Sequence, residues 1–143
     1  MKRILLFTAT AMLAVSAAPA KELKWADGPD GPPKGSQVAV VSGDPAKAGP
    51  FVIQLKFPAD YAVPPHSHPT AEVVKVVSGS LHYGMSDKMD LAQAKTLESG
   101  QSVTMDAKMN HWAHASAPAT VQVSSTGPFQ ITYVDPNDDP RKK

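Results

Sequence analysis

The chain reads as one all-β domain, a sandwich or barrel of short strands, and three observations predict it. The prolines, 14 among 143 residues, are clustered, as Pro29, Pro32 and Pro33, then Pro45 and Pro50, then Pro64, Pro65 and Pro69; such clusters break helices and separate short segments. Between the clusters, apolar residues recur at every second position, the period of a half-buried strand. Eight such segments fit into about a hundred residues, the density of a sandwich or barrel.

In chain order the expected strands are Gln37–Ser42, Phe51–Phe57, Glu72–Val77, Leu81–Met85, Ser102–Met105, His111–Ala115, Val121–Ser124 and Phe129–Val134. Phe51, Ile53, Leu55 and Phe57 alternate with Val52, Gln54 and Lys56 and place four large side chains on one face. Lys88–Lys95 alone carries helical spacing, with Met89, Ala92 and Lys95 in register and Asp87 as the expected cap. Gly-Pro-Phe occurs at 49–51 and again at 127–129, which we read as shared turn chemistry rather than a repeated domain.

Residues 1–20 read as a secretory signal. Lys2 and Arg3 precede an apolar run, and Ala18-Pro19-Ala20 offers a small-x-small cleavage site. The run is shorter than the roughly 20 residues a bilayer core requires. Export to the periplasm or outside the cell is therefore expected, with cleavage near Ala20 and no membrane anchor afterwards. Residues 21–36 are expected to form an extended N-terminal arm, 37–134 the barrel and 135–143 a polar tail. Loss of Lys2 and Arg3 leaves 12 basic against 13 acidic residues. That balance, with scattered cations, points away from nucleic acid and anionic membranes as partners. The chain has no cysteine, so disulfides and thiolate metal ligands are excluded and any metal must be held by nitrogen and oxygen.

The chemistry is concentrated in Pro64-Pro65-His66-Ser67-His68-Pro69-Thr70-Ala71-Glu72. His66 and His68 stand two apart, so on extended backbone both imidazoles project to one side. Taken alone, such a pair reads equally well as two surface histidines. Glu72 heads a strand whose inward row continues with Val74 and Val76, and a carboxylate in that row is costly unless paired or metal-bound. The histidines supply a reason for it.

The segment Asp60-x5-His66-x-His68-x3-Glu72-x6-Gly79 resembles the first motif of the cupin family, G-x5-H-x-H-x3,4-E-x6-G, at every position but the first. Gly100-x5-Asp106-x-Lys108-x2-His111-x3-Ala115 resembles the second motif, G-x5-P-x-G-x2-H-x3-N, keeping the glycine and the histidine. Asp60 is a mild replacement, since aspartate tolerates positive φ. With Lys108 at the second glycine, the turn before His111 is expected to place Asn110 in the left-handed region. The resemblance implies a cupin-type jelly-roll β-barrel, here with the one short helix. It implies one divalent transition metal held by His66, His68, Glu72 and His111, and a homodimer, for which Val38, Val40 and Val41 offer an apolar edge. Zinc, manganese, copper, nickel and iron all suit such a donor set.

Strand parity sorts the remaining candidates. A two-residue hairpin at Ser78-Gly79 would set Lys75 opposite His82 on the outer face and Met85 opposite Glu72 on the inner face. Tyr83 and Met85 then become candidate pocket walls. His114 is expected to point away from His111, together with Trp112. The resemblance implies either a metal-dependent enzyme of the oxygenase, isomerase or decarboxylase type acting on a small oxygen-rich substrate, or a non-catalytic module that binds or senses a metal or small molecule. No acid or base other than Tyr83 is evident beside the ligands.

Overall fold

Alternation along the chain sets two inward rows that face each other. Phe51, Ile53, Val74, Val76, Val121 and Val123 are buried on one side; Tyr61, Val63, Leu81, Tyr83, Leu97 and Ala115 are buried on the other, in one continuous core. The computed structural model describes residues 20–143, so the expected signal segment lies, but for Ala20, outside the described residues.

The strands are β1 (Ala26–Asp27), β2 (Gln37–Ser42), β3 (Gly49–Phe57), β4 (Tyr61–Ser67), β5 (Glu72–Ser78), β6 (Ser80–Gly84), β7 (Lys95–Glu98), β8 (Ser102–Met105), β9 (His111–Ala115), β10 (Ala119–Gly127) and β11 (Thr132–Tyr133). They form two antiparallel sheets, in the orders β1-β2-β3-β10-β5-β8 and β11-β4-β9-β6-β7. The result is a jelly roll, whose two sheets bury their inner faces against each other. Among the described residues there is no α-helix, only 3-10 turns. The helix expected over Lys88–Lys95 is a three-residue 3-10 turn, Leu91–Gln93, capped by Asp90 rather than Asp87, and Lys95 already opens β7. Leu97 explains the difference: it is 5% exposed, and only an extended chain at Lys95–Glu98 can pair with β6 and bring it into the core.

Two further expectations are corrected. Ser78-Gly79 is not a hairpin turn, because β5 pairs with β10 and β8 while β6 pairs with β7 and β9. Gly79, at φ 78°, is the corner where the chain leaves one sheet for the other. A Cβ there would stand 2.8 Å from the Pro118 carbonyl oxygen, closer than the corner allows. Val74 and Leu81 therefore line opposite walls instead of neighbouring strands. The second correction is β4, which runs through Pro64 and Pro65 although those prolines suggest a break. Its pairing with β9 lapses between Val63 and His66, so neither proline is asked for an N–H it lacks.

Both ends of the described chain fold back onto the barrel. In the N-terminal arm, Ala26 pairs with Val38 and the Gly28 N–H donates to the Ser36 carbonyl at 2.8 Å. The buried hydroxyls of Tyr133 and Tyr61 donate to the carbonyls of Gly31 and Pro33. Those hydroxyls need partners once buried, and an extended arm with free carbonyls provides them. The same arm occupies the edge of β2, leaving Val40 as its most exposed valine.

In the tail, Arg141 grips the buried Asp139 through Nε at 2.8 Å and Nη2 at 2.9 Å, and Nη2 also donates to the Ile131 carbonyl at 3.0 Å. The guanidinium hydrogen-bonded to it holds the Asp139 carboxyl down to about 2. A carboxyl held below its unfolded value stabilises the fold above about pH 4. That contribution is lost as pH falls through about 2. We expect Arg141→Ala to shift the acid-unfolding midpoint of the metal-free protein upward, read by circular dichroism from pH 6 to 1.5. An unchanged midpoint would show that the tail adds no acid stability.

Candidate metal centre

His66 is the sixth residue of β4 and lies just past the stretch where pairing with β9 lapses; it faces His111, the first residue of β9, across the ladder. His68 follows β4 directly, and its backbone carbonyl accepts the Lys108 N–H at 2.8 Å, which ties the turn before His111 to the first histidine pair. In that turn Lys108, not Asn110, takes the left-handed conformation, at φ 61°. The position that the cupin motif gives to glycine thus keeps its backbone geometry while its residue type changes. Asn110 instead donates its side-chain amide to Asp87 at 2.7 Å. Asp60 also has positive φ, 60°. Glu72 opens β5 in the opposite sheet, beside Met105 of β8.

These elements bring His66, His68 and His111 together, all buried, each with a ring nitrogen within 4.8 Å of the others'. The tautomer of each ring follows from its partner. His66 Nδ1 lies 2.6 Å from the Pro64 carbonyl, His68 Nδ1 2.7 Å from that of Gln130, and His111 Nδ1 3.0 Å from that of Met109. A carbonyl oxygen only accepts, so each Nδ1 carries the hydrogen and each Nε2 turns a lone pair to the common centre. Glu72 Oε2 stands 3.3 Å from His68 Nε2 and 3.6 Å from His111 Nε2. With neutral rings these contacts are acceptor against acceptor, which is unfavourable in a buried site unless a proton or a cation lies between. At His66 burial favours the neutral ring. Burial, reinforced by the neighbouring His111 and His68, pulls its pKa down to about 3. Three buried histidines so disposed could bind one metal ion, and the donor set does not select which.

The cluster lines a cavity with about 70 Å3 of space open to water-sized groups. Its walls include Ile53, Leu55, Val63, Val74, Leu81 and Val123, with Pro29 and Pro32 of the N-terminal arm beside them. Tyr83 and Met85 are not among the lining residues. Tyr83 is buried in the core, whereas Met85 lies beyond the end of β6 and is exposed. At Gly84, the last residue of β6, the Trp112 ring lies over the chain, 2.5 Å from where a Cβ would be. The strand expected to reach Met85 ends one residue early. Lining residues that alternation alone did not single out are Ala113, Phe129 and the arm prolines. Phe129 packs against the His68 ring at 5.3 Å. The remaining histidines, His82 and His114, pair on the other face of the β6–β9 ladder, with ring centroids 6.2 Å apart. His82 Nδ1 lies 3.0 Å from Thr96 Oγ1, and His114 Nδ1 is buried without a hydrogen-bond partner among the described residues.

No protein-family model matches the chain, and no curated protein is detectably similar to it in sequence. Solved structures do match. The polyketide cyclase RemF from Streptomyces resistomycificus superposes with a TM-score of 0.69 at 13% identity, over 90% of this chain and 92% of that one. A proposed acetylacetone dioxygenase from Methylibium petroleiphilum PM1 gives 0.63 at 16% identity, over 90% of each chain. An RmlC-like cupin from Shewanella frigidimarina gives 0.55 at 17% identity, over 64% of this chain and 76% of that one. The fold is the cupin double-stranded β-helix. At such low identities the likeness speaks to the fold alone.

Proposed function

We propose that this cupin-fold chain is an exported mononuclear metal enzyme in which His66, His68, His111 and Glu72 hold one divalent transition metal. The observation that carries this reading is the contact of the Glu72 carboxylate with two imidazole nitrogens whose hydrogens are committed elsewhere. With neutral rings, this buried arrangement of lone pairs facing lone pairs is what a shared proton or a bound cation would resolve. When bound, the ion would supply Lewis-acid polarisation of an oxygen donor or, for iron, copper or manganese, electron transfer. The chain's own residues do the rest. The carbonyls of Pro64, Gln130 and Met109 orient the rings, Glu72 offsets positive charge, and the apolar walls exclude bulk water.

A second reading, a binding module without turnover, is favoured by one observation. Beyond the four candidate ligands, the lining contains no group able to act as a general acid or base except the Ser36 hydroxyl. Elemental analysis of the protein recovered from its exported location, followed by a substrate panel in that metal form, separates the two. Consumption of a substrate that disappears in His66→Ala supports the enzyme. A full panel without turnover in any metal form leaves the binding module.

Glu72→Leu removes a 6% exposed carboxylate, so in excess chelator the variant should be more stable than wild type by about 1–3 kcal/mol, while losing its gain on adding metal. Urea denaturation with and without metal measures both. Lower stability of the variant in chelator would mean that the carboxylate is satisfied without a cation.

A further inference from the structure

We infer that the cavity takes a compact molecule with a single oxygen-bearing head and an uncharged, apolar body; the inference rests on the metal centre proposed above. The walls are notable for the polar groups they lack. Apart from His66, His68, Glu72 and His111, the only polar side chain among the lining residues is Ser36. Ser36 is itself buried, and the lining holds no lysine or arginine. The walls come from both sheets, with Ile53, Leu55 and Val123 facing Val63 and Leu81, so a bound body is surrounded by aliphatic carbon rather than resting on one apolar face.

Polar and charged groups are therefore provided for almost solely by that cluster. A head bearing a carboxylate, ketone or enolate oxygen meets the His–Glu cluster. Within this cavity a second carboxylate or a phosphate would lie against hydrocarbon, since its lining holds no cation. A sugar or polyol would bring several hydroxyls to a wall that offers Ser36 alone. Each unpaired polar group costs enough to weaken binding by roughly one to two orders of magnitude, and an unpaired charge costs more. The walls thus select against dicarboxylates, phosphate esters and sugars, and for a short, branched or alkyl-bodied oxo acid, diketone or similar chelator.

The test uses two probes with one head and tails of similar length. 4-Methyl-2-oxopentanoate carries an isobutyl body, and 2-oxoglutarate carries a second carboxylate. The full chain is first loaded with cobalt(II) and its visible absorption recorded; each probe is then titrated and the absorption change read as binding. We expect the branched oxo acid to bind at least about a hundredfold more tightly. Equal affinities, the reverse order, or binding of neither probe to a protein that holds cobalt would overturn the inference and leave the metal centre standing. Failure to take up cobalt would overturn the metal reading itself, and the inference with it. Leu55→Arg places a cation in the wall and should narrow the preference at least about tenfold. An unchanged ratio in a folded Leu55→Arg protein would show that this wall does not face the body, and if the variant does not fold, the wild-type comparison decides.

Discussion

His68→Ala is expected to abolish stoichiometric metal binding, and His82→Ala to leave it at one equivalent. The two substitutions remove the same side chain from the same half of the barrel, so charge, size and overall histidine content are matched. They differ in what the ring faces. His68 is buried, holds its Nδ1 hydrogen on the Gln130 carbonyl and directs Nε2 at Glu72. His82 lies on the other face, against Thr96 and His114. Loss of a residue that merely orients a ligand weakens metal affinity about 10- to 100-fold, and loss of the ligand itself should exceed that. Calorimetric titration with zinc against a competing chelator reads the difference. Equal losses in the two variants would place the metal outside the cluster, and equal retention would leave Glu72 without the cation on which the proposed function depends.

The second large effect is on stability. Trp112 is 1% exposed, covers Gly84 and donates its indole N–H to Ser86 Oγ at 3.0 Å. It follows His111 in β9, so its packing also holds the backbone that presents that imidazole. Trp112→Ala should cost about 3–5 kcal/mol through the cavity it leaves. That is a large share of the roughly 5–15 kcal/mol that stabilises an ordinary domain. Urea denaturation in excess chelator measures the loss without a contribution from bound metal. Trp112→Phe, which refills most of the volume, should recover more than half of it. A loss under about 1 kcal/mol for the alanine variant would mean that the outer face of β9 packs far more loosely than its burial indicates.

Where sequence reading succeeded and where it stopped can be followed along particular strands. Alternation correctly set Val74, Val76, Leu81 and Tyr83 inward, because a side chain's face depends only on its own strand's pleat. Partnership between strands does not. From Ser78-Gly79 a hairpin and a corner look alike, since both require a residue that accepts positive φ, and only the packing of β5 between β10 and β8 distinguishes them. Strand β7 was hidden because Met89, Ala92 and Lys95 have helical spacing by coincidence, and burial of Leu97 outweighed that weak local preference. Strand β4 was hidden by prolines that the structure tolerates where pairing with β9 lapses.

The residues alone determined the alternating rows, the absence of thiolate chemistry and the spacing of His66, His68 and Glu72, since composition and local backbone geometry are properties of contiguous sequence. Tertiary structure decided that His111 joins them, that Met85 does not, and that Pro29 and Pro32 reach the cavity wall. Those outcomes depend on contacts between segments up to a hundred residues apart, as between Tyr133 and Gly31. They are set by which surfaces bury one another, and no local pattern encodes that.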